Sequence, residues 1–262
     1  IAVMILRCIG PAKSKSLPTV QQAIASHGFT SLDNSFLSKI EWWDFFYKRK
    51  DPQGFDWFEV DEPFVLGQIR DHLMSTKNPH VLHLGCGTSR WCELLENELP
   101  GCSVTHLDAS TEATKVLRAR LPESASIITA DATLGLPFAR GTFDAVVDKG
   151  AIDVFFATGQ HQAAATVMAE VARVLKKAKN FGAGESSGGG PSGGPSGGES
   201  SHGESSQGGV YYMVSGESPE LRVPSFQSAA KASGTRWKVT SQDASLPDPQ
   251  YQTFLFTGTL ER

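Results

Sequence analysis

At 262 residues, with 40% hydrophobic and 20% charged side chains, the chain is long enough for one large domain with a substantial core. A formal charge of −4 and a pI near 6.0 supply no general basic field, which argues against a nucleic-acid backbone as the main partner. Cys8, Cys86, Cys92 and Cys102 form no C-x-x-C pair, so neither a zinc knuckle nor a disulfide framework is indicated and no metal is expected. No apolar run approaches the roughly 20 residues that cross a bilayer, and a soluble protein of a reducing compartment, without a membrane partner, is expected.

The first 32 residues carry Arg7, Lys13 and Lys15 and no acid before Asp33. That composition suits a mitochondrial transit peptide, with a disordered arm as the alternative, over residues 1–37. The domain proper is expected over residues 38–262. It opens on an aromatic-dense stretch, residues 39–64, that includes Trp42, Trp43, Tyr47, Trp57 and Phe58. Such a stretch is either an amphipathic cover helix packed on the domain or a lid whose rings line a cavity.

Strand-like and helix-like segments then alternate. HVLHL (80–84) precedes a helical span at 89–99, and SVTHL (103–107) precedes one at 111–120. SIITA (126–130) leads through a loop to AVVDK (145–149) and a helical span at 162–177. Repeated strand–helix wording predicts an α/β fold: a Rossmann-like, mostly parallel sheet of seven strands with helices on both faces. Between residues 182 and 209, 20 of 28 residues are glycine or serine, so this stretch buries too little to offset its ordering entropy and reads as a disordered insertion. Beyond it, VYYMVS, a helix around 226–231, RWKVTSQ and YQTFLFTGTL follow; the last two predict an antiparallel pair completing the sheet at one edge.

The chemistry-bearing positions fall at strand ends. Gly85-Cys86-Gly87 follows the first strand and precedes a helix, where glycine lets a ligand approach the backbone. Arg90 stands where the third glycine of G-x-G-x-x-G would be, and no Gly-Lys-Ser/Thr follows, so neither a dinucleotide fingerprint nor an NTP phosphate loop is complete. Asp108 ends the second strand, 23 residues after Gly85, where a carboxylate can accept two ribose hydroxyls; an ordinary helix cap is the alternative. Asp131 ends the third strand, and Asp148-Lys149-Gly150 the fourth. Four strand ends thus aim polar groups or glycines at one rim.

These residues resemble the seven-stranded S-adenosylmethionine-dependent methyltransferases: VLHLGCG their first motif, THLDAS the second-strand acid with Ala109 beside it, TADAT the adenine-side acid with Ala132, and FDAVVDKGAID the fourth-strand motif. DKGAID and FDWFEVDE are similar to the protein-lysine methyltransferases that include those of elongation factor 1-alpha and of citrate synthase, and SPELRVPSFQ, TRWKVTSQD and YQTFLFTG resemble the end of the citrate synthase branch in order and spacing. The likeness covers about residues 38–178 and 209–259.

The resemblance implies S-adenosyl-L-methionine as cofactor, held by Trp57, Phe58, His83, Gly85, Cys86, Gly87, Asp108, Ala109, Asp131, Ala132 and Asp148. His83 stands where most of the wider family carries an acid, and the alternative for it is a packed strand residue. The resemblance also implies a folded protein substrate, citrate synthase first and elongation factor 1-alpha second, with a mitochondrial matrix location or else a cytoplasmic one. A monomer is expected. Asp148 and Asp153 would orient the acceptor amine, with Lys149 shaping the loop; helix capping or a salt bridge is the alternative for both acids. The competing readings are a small-molecule methyltransferase, a cofactor-binding scaffold without catalysis and, more distantly, a nicotinamide oxidoreductase.

Overall fold

In the computed structural model, residues 37–49, 56–178, 208–247 and 252–261 are described. The expected N-terminal arm up to residue 36 and residues 182–207 of the glycine–serine stretch lie outside them. Seven strands form one sheet: β1 (His80–Leu84), β2 (Ser103–Asp108), β3 (Ser126–Thr129), β4 (Ala145–Lys149), β5 (Val210–Ser215), β6 (Trp237–Asp243) and β7 (Phe254–Leu260). Their spatial order is β3-β2-β1-β4-β5-β7-β6. β1 to β5 are parallel, and β7 runs antiparallel to both β5 and β6. The sheet is the one the alternating sequence predicts, including the antiparallel C-terminal pair.

Alternation along each strand sends side chains to two separate cores. Leu82, Leu84, Val146, Tyr211 and Met213 pack beneath helices α6 (His161–Val174) and α7 (Pro219–Ala232). Val81, Val147, Tyr212 and Val214 pack on the other face against α2 (Glu62–Leu73) and α3 (Trp91–Glu98). Burial on both faces explains why the central strands read as nearly continuous apolar runs. α1 (Ile40–Arg49), α4 (Thr111–Arg120) and α5 (Ala151–Ala157) complete the helices of the described residues.

The chain leaves β1 toward β2 and β3, then returns to place β4 and β5 on the other side of β1. A crevice opens at the carboxyl ends of strands where the order reverses in this way. The sequence reading lacked α2 and α5 and confined α7 to its second half; α7 continues through Pro224, and the Arg222 side chain beside it is buried. Gly209 N–H donates to Lys176 O at 2.8 Å, so the chain re-enters the sheet beside the point where it left after α6. An insertion there needs only to close a loop, at a cost that grows slowly with length.

Candidate cofactor site

After β1 the backbone turns through Gly85 (φ +59°) and Gly87 (φ +52°), conformations that L side chains rarely adopt. A Cβ on Gly85 would lie 2.3 Å from Ala151 Cβ, and one on Gly87 would lie 2.5 Å from the Tyr47 hydroxyl. The turn is stitched to the end of β2. Cys86 N–H donates to Leu107 O at 3.0 Å and Gly87 N–H to Asp108 Oδ2 at 2.7 Å, while Ser110 N–H donates to Asp108 Oδ1 at 2.8 Å. Burial raises the Asp108 carboxyl to about 6, against the pull of those two N–H groups.

Above this turn lies a cavity of about 1000 Å³ including its open mouth. Its floor is Leu84-Gly85, Leu107 to Ala109, Ala130 to Thr133 and Lys149 to Ile152. Asp131 Oδ1 accepts from Thr133 N and Oγ1 at 2.8 and 2.7 Å, which fixes the carboxylate at the start of a short 3₁₀ turn. The far wall is aromatic: Trp43 stacks on Tyr47 at 5.9 Å and meets Trp57 edge-on at 5.5 Å. α1 thus serves as both cover and cavity wall, because Trp42, Phe46 and Ala113 pack behind those rings.

Two acids that the sequence reading did not single out hold this wall in place. Asp44 Oδ1 accepts from Ser110 Oγ at 2.6 Å and Glu112 N at 3.1 Å, anchoring α1 to the start of α4. Asp56 accepts from Ser89 Oγ, from Arg90 N at 3.2 Å and from the Lys149 ammonium. Burial alone would raise the Asp56 carboxyl, but Lys149 and these donors hold it below the ordinary carboxylate range. Asp56 belongs to the FDWFEVDE stretch, so its signal was present without a partner to give it meaning.

Gly85, Asp108, Ala109, Asp131, Ala132, Lys149 and Trp57 are brought together on the cavity. Gly87 stands at its edge through Asp108 and Tyr47. The remaining expected site residues do not line it. Phe58 lies over Gly150, where a Cβ would come within 2.9 Å of its ring, and packs on the α2–α3 core. His83 and Cys86 are buried, at 0% and 2% exposure.

Asp148 and Asp153, expected to orient the acceptor amine, are buried off the cavity lining. Asp148 lies on the Tyr211 face of β4, fully buried; its oxygens accept Ala151 N at 2.7 Å, Ile152 N at 3.0 Å and Tyr211 Oη at 2.7 Å. Asp153 accepts Ser215 Oγ at 2.7 Å and pairs with Arg222 at 2.8 Å. Both acids fix α5 against the sheet, so capping and ion pairing account for them. Burial, reinforced by Asp153 and opposed by the Tyr211 hydroxyl, pushes the Asp148 carboxyl up to about 7. Asp148→Asn is expected to act on stability: an amide leaves one of three buried donors unmatched, about 1–3 kcal/mol, read as a lowered melting temperature with cofactor affinity unchanged. Normal melting with weakened binding would restore Asp148 to the cavity.

The residues present fit a nucleoside. Each Asp108 oxygen takes one backbone N–H and keeps acceptor capacity on the cavity side, as a ribose diol requires. The small Ala109, Ala130 and Ala132 side chains leave a flat apolar slot between Asp108 and Asp131.

Residues 81–178 match the family described as a methyltransferase domain. A zebrafish (Danio rerio) protein named eEF1A lysine and N-terminal methyltransferase is 27% identical over 142 residues, covering 53% of this chain. The chain spans 20% of the length of that relative. Among solved structures, one described under the conversion of a disulfide bond into a thioacetal group during echinomycin biosynthesis superposes with a TM-score of 0.50 at 18% identity, covering 85% of this chain and 93% of that one. A TehB-like S-adenosylmethionine-dependent methyltransferase of Corynebacterium glutamicum gives 0.48 at 14% identity, covering 84% and 95%. The matched segment contains the ends of β1, β2, β3 and β4 that border the cavity. The chain therefore carries a seven-stranded, Rossmann-like sheet in which residues 81–178 match a methyltransferase domain.

Proposed function

We propose that the chain is a protein-lysine N-methyltransferase whose acceptor is a folded protein, citrate synthase of the mitochondrial matrix first. The observation that carries the reading is the wall of the cavity: Leu37, Ile40, Trp43, Tyr47, Trp57 and Phe155 line an open cavity, and the one cation lining it among the described residues, Lys149, is already paired with Asp56. Such a mouth suits the apolar stem of a lysine and presents aromatic faces to its ammonium.

When bound, the cofactor supplies an electrophilic methyl group. Everything else falls to the chain. A lysine has a reference pKa near 10.4 and must shed a proton before its nitrogen can attack, and an apolar aromatic slot favours the neutral amine. The neutral amine would take the cofactor's methyl group and end as a methylammonium, so the one proton released per transfer is the one shed before attack. Burial first and Asp108 second hold the Tyr47 hydroxyl well above its ordinary range, so Tyr47 stays protonated and serves as wall rather than base. Alignment and exclusion of water are the main contributions available to this site.

The choice of citrate synthase rests on the likeness of SPELRVPSFQ, TRWKVTSQD and YQTFLFTG and on the basic, acid-free first 32 residues. Elongation factor 1-alpha is the second reading, favoured by the name of the zebrafish relative. The full chain is to be incubated with labelled S-adenosylmethionine and either mitochondrial or cytosolic extract. A labelled mitochondrial protein of citrate synthase size, absent when that protein is depleted, is expected. Label confined to a cytosolic band of elongation-factor size would overturn the first choice, and label found only in small metabolites would overturn the protein-lysine reading.

A further inference from the structure

Beneath the glycine turn, on the sheet face covered by α2 and α3, lies a polar cluster that cofactor binding does not use. β1 and β2 pair in register at His83 and His106, so the two imidazoles stand side by side. The first turn of α3 brings Cys92 onto them. All three side chains are fully buried.

Their donor atoms converge. His83 Nδ1 and His106 Nδ1 are 3.3 Å apart, Cys92 Sγ is 3.8 Å from His83 Nδ1, and the three atoms all lie within 4.8 Å of one another. A tetrahedral zinc ion with ordinary bond lengths separates two nitrogens by about 3.3 Å and a nitrogen from a sulfur by about 3.5 Å. The far nitrogen of His106, Nε2, is 3.3 Å from Glu96 Oε1, the outer carboxylate that usually orients a metal-bound imidazole. Cys86, the middle residue of the glycine turn, is buried in the same apolar cluster as Cys92.

With Glu96 taking the His106 Nε2 proton, a neutral His106 must receive a hydrogen at Nδ1, and His83 Nδ1–H would supply it. His83 Nε2 would then be a bare lone pair, and that atom has no partner among the described residues. A metal held by both Nδ1 atoms would put the His83 hydrogen on Nε2, so that buried atom is without a partner among the described residues in either state.

We propose that His83, Cys92 and His106 bind a structural zinc-type divalent cation that fastens β1, β2 and α3 together beneath the glycine turn. Two imidazoles with a thiolate select a borderline-soft metal over magnesium or calcium. The ion would sit below Cys86 and two residues before Asp108, so order in the cofactor site depends on it. The rival state is a metal-free thiolate–imidazolium pair between Cys92 and His106.

The test uses the full chain without a polyhistidine tag, purified from zinc- and from cobalt-supplemented cells. One zinc per chain that survives gel filtration and external chelator is expected. The cobalt form is expected to show thiolate-to-cobalt charge transfer and intense tetrahedral visible bands, lost in Cys92→Ser. Should that variant fail to fold, Glu96→Gln is informative: it keeps the ligands and should weaken metal affinity about 10- to 100-fold in chelator competition. A folded wild-type chain with metal content well below one per chain and no thiolate–cobalt bands would overturn the proposal in favour of the ion pair. Neither outcome depends on the methyl acceptor.

Discussion

Asp108→Ala is expected to abolish measurable S-adenosylmethionine binding. The carboxylate lines the cavity at the end of β2, and each of its oxygens is already aimed by a backbone N–H, from Gly87 and Ser110. Charge-assisted hydrogen bonds contribute roughly 1.5–3 kcal/mol each, so losing two ribose contacts weakens binding by at least about 100-fold. Alanine also leaves two buried N–H groups unmatched, so Asp108→Asn is the cleaner companion: it keeps the shape and should weaken binding about 10- to 150-fold with the fold intact by circular dichroism. Titration calorimetry reads both, and wild-type affinity in Asp108→Asn would remove Asp108 from the site.

The same carboxyl gives a pH dependence with opposite signs for folding and binding. Burial raises it from 3.8 to about 6 in the fold, so the native state favours the protonated acid. Its contribution to stability is complete below 3.8 and is lost as pH rises through about 6. Ribose hydroxyls need the ionised acceptor, so cofactor affinity should fall as pH drops below about 6. Affinity that stays flat down to the ordinary carboxylate range would show that Asp108 does not touch the ligand.

Gly85→Ala carries the second large expected effect. At φ +59° an L residue costs about 1–2 kcal/mol. Its Cβ would also stand 2.3 Å from Ala151 Cβ, a contact that neither short side chain can relieve by rotation. Overpacking of this kind adds roughly 1–3 kcal/mol, for a total of about 2–5 kcal/mol. In a domain of this size that lowers the melting temperature by roughly 5–20 °C. Gly87→Ala should differ, because its Cβ meets the free end of Tyr47, which can swing aside and displace the aromatic wall. A Gly85→Ala protein that melts like the wild type would mean the turn is looser than described.

The sheet was legible in the sequence because its central strands are buried on both faces, so HVLHL, AVVDK and VYYMVS stand out as apolar runs bounded by turn residues. α5 was missed because it is a single short helix following Asp148-Lys149-Gly150 directly, with no linker to announce it. Strand-end position found Gly85, Asp108 and Asp131. It did not show which face of the sheet Asp148 would join, since that depends on where the strand's alternation begins; the acid fell on the Tyr211 side and became the cap of α5. Asp56 gained its role from Lys149, 93 residues away, and no local pattern encodes that pairing. His83 and His106 likewise show no metal-ligand spacing, because strand register rather than sequence distance brings them together.

The central claim is that the crevice where strand order reverses around β1 and β4 holds S-adenosylmethionine. Titration calorimetry of the full wild-type chain with S-adenosylmethionine tests it most directly. One molecule per chain at micromolar affinity, about −8 kcal/mol, is expected. A folded chain that takes up none would contradict the account.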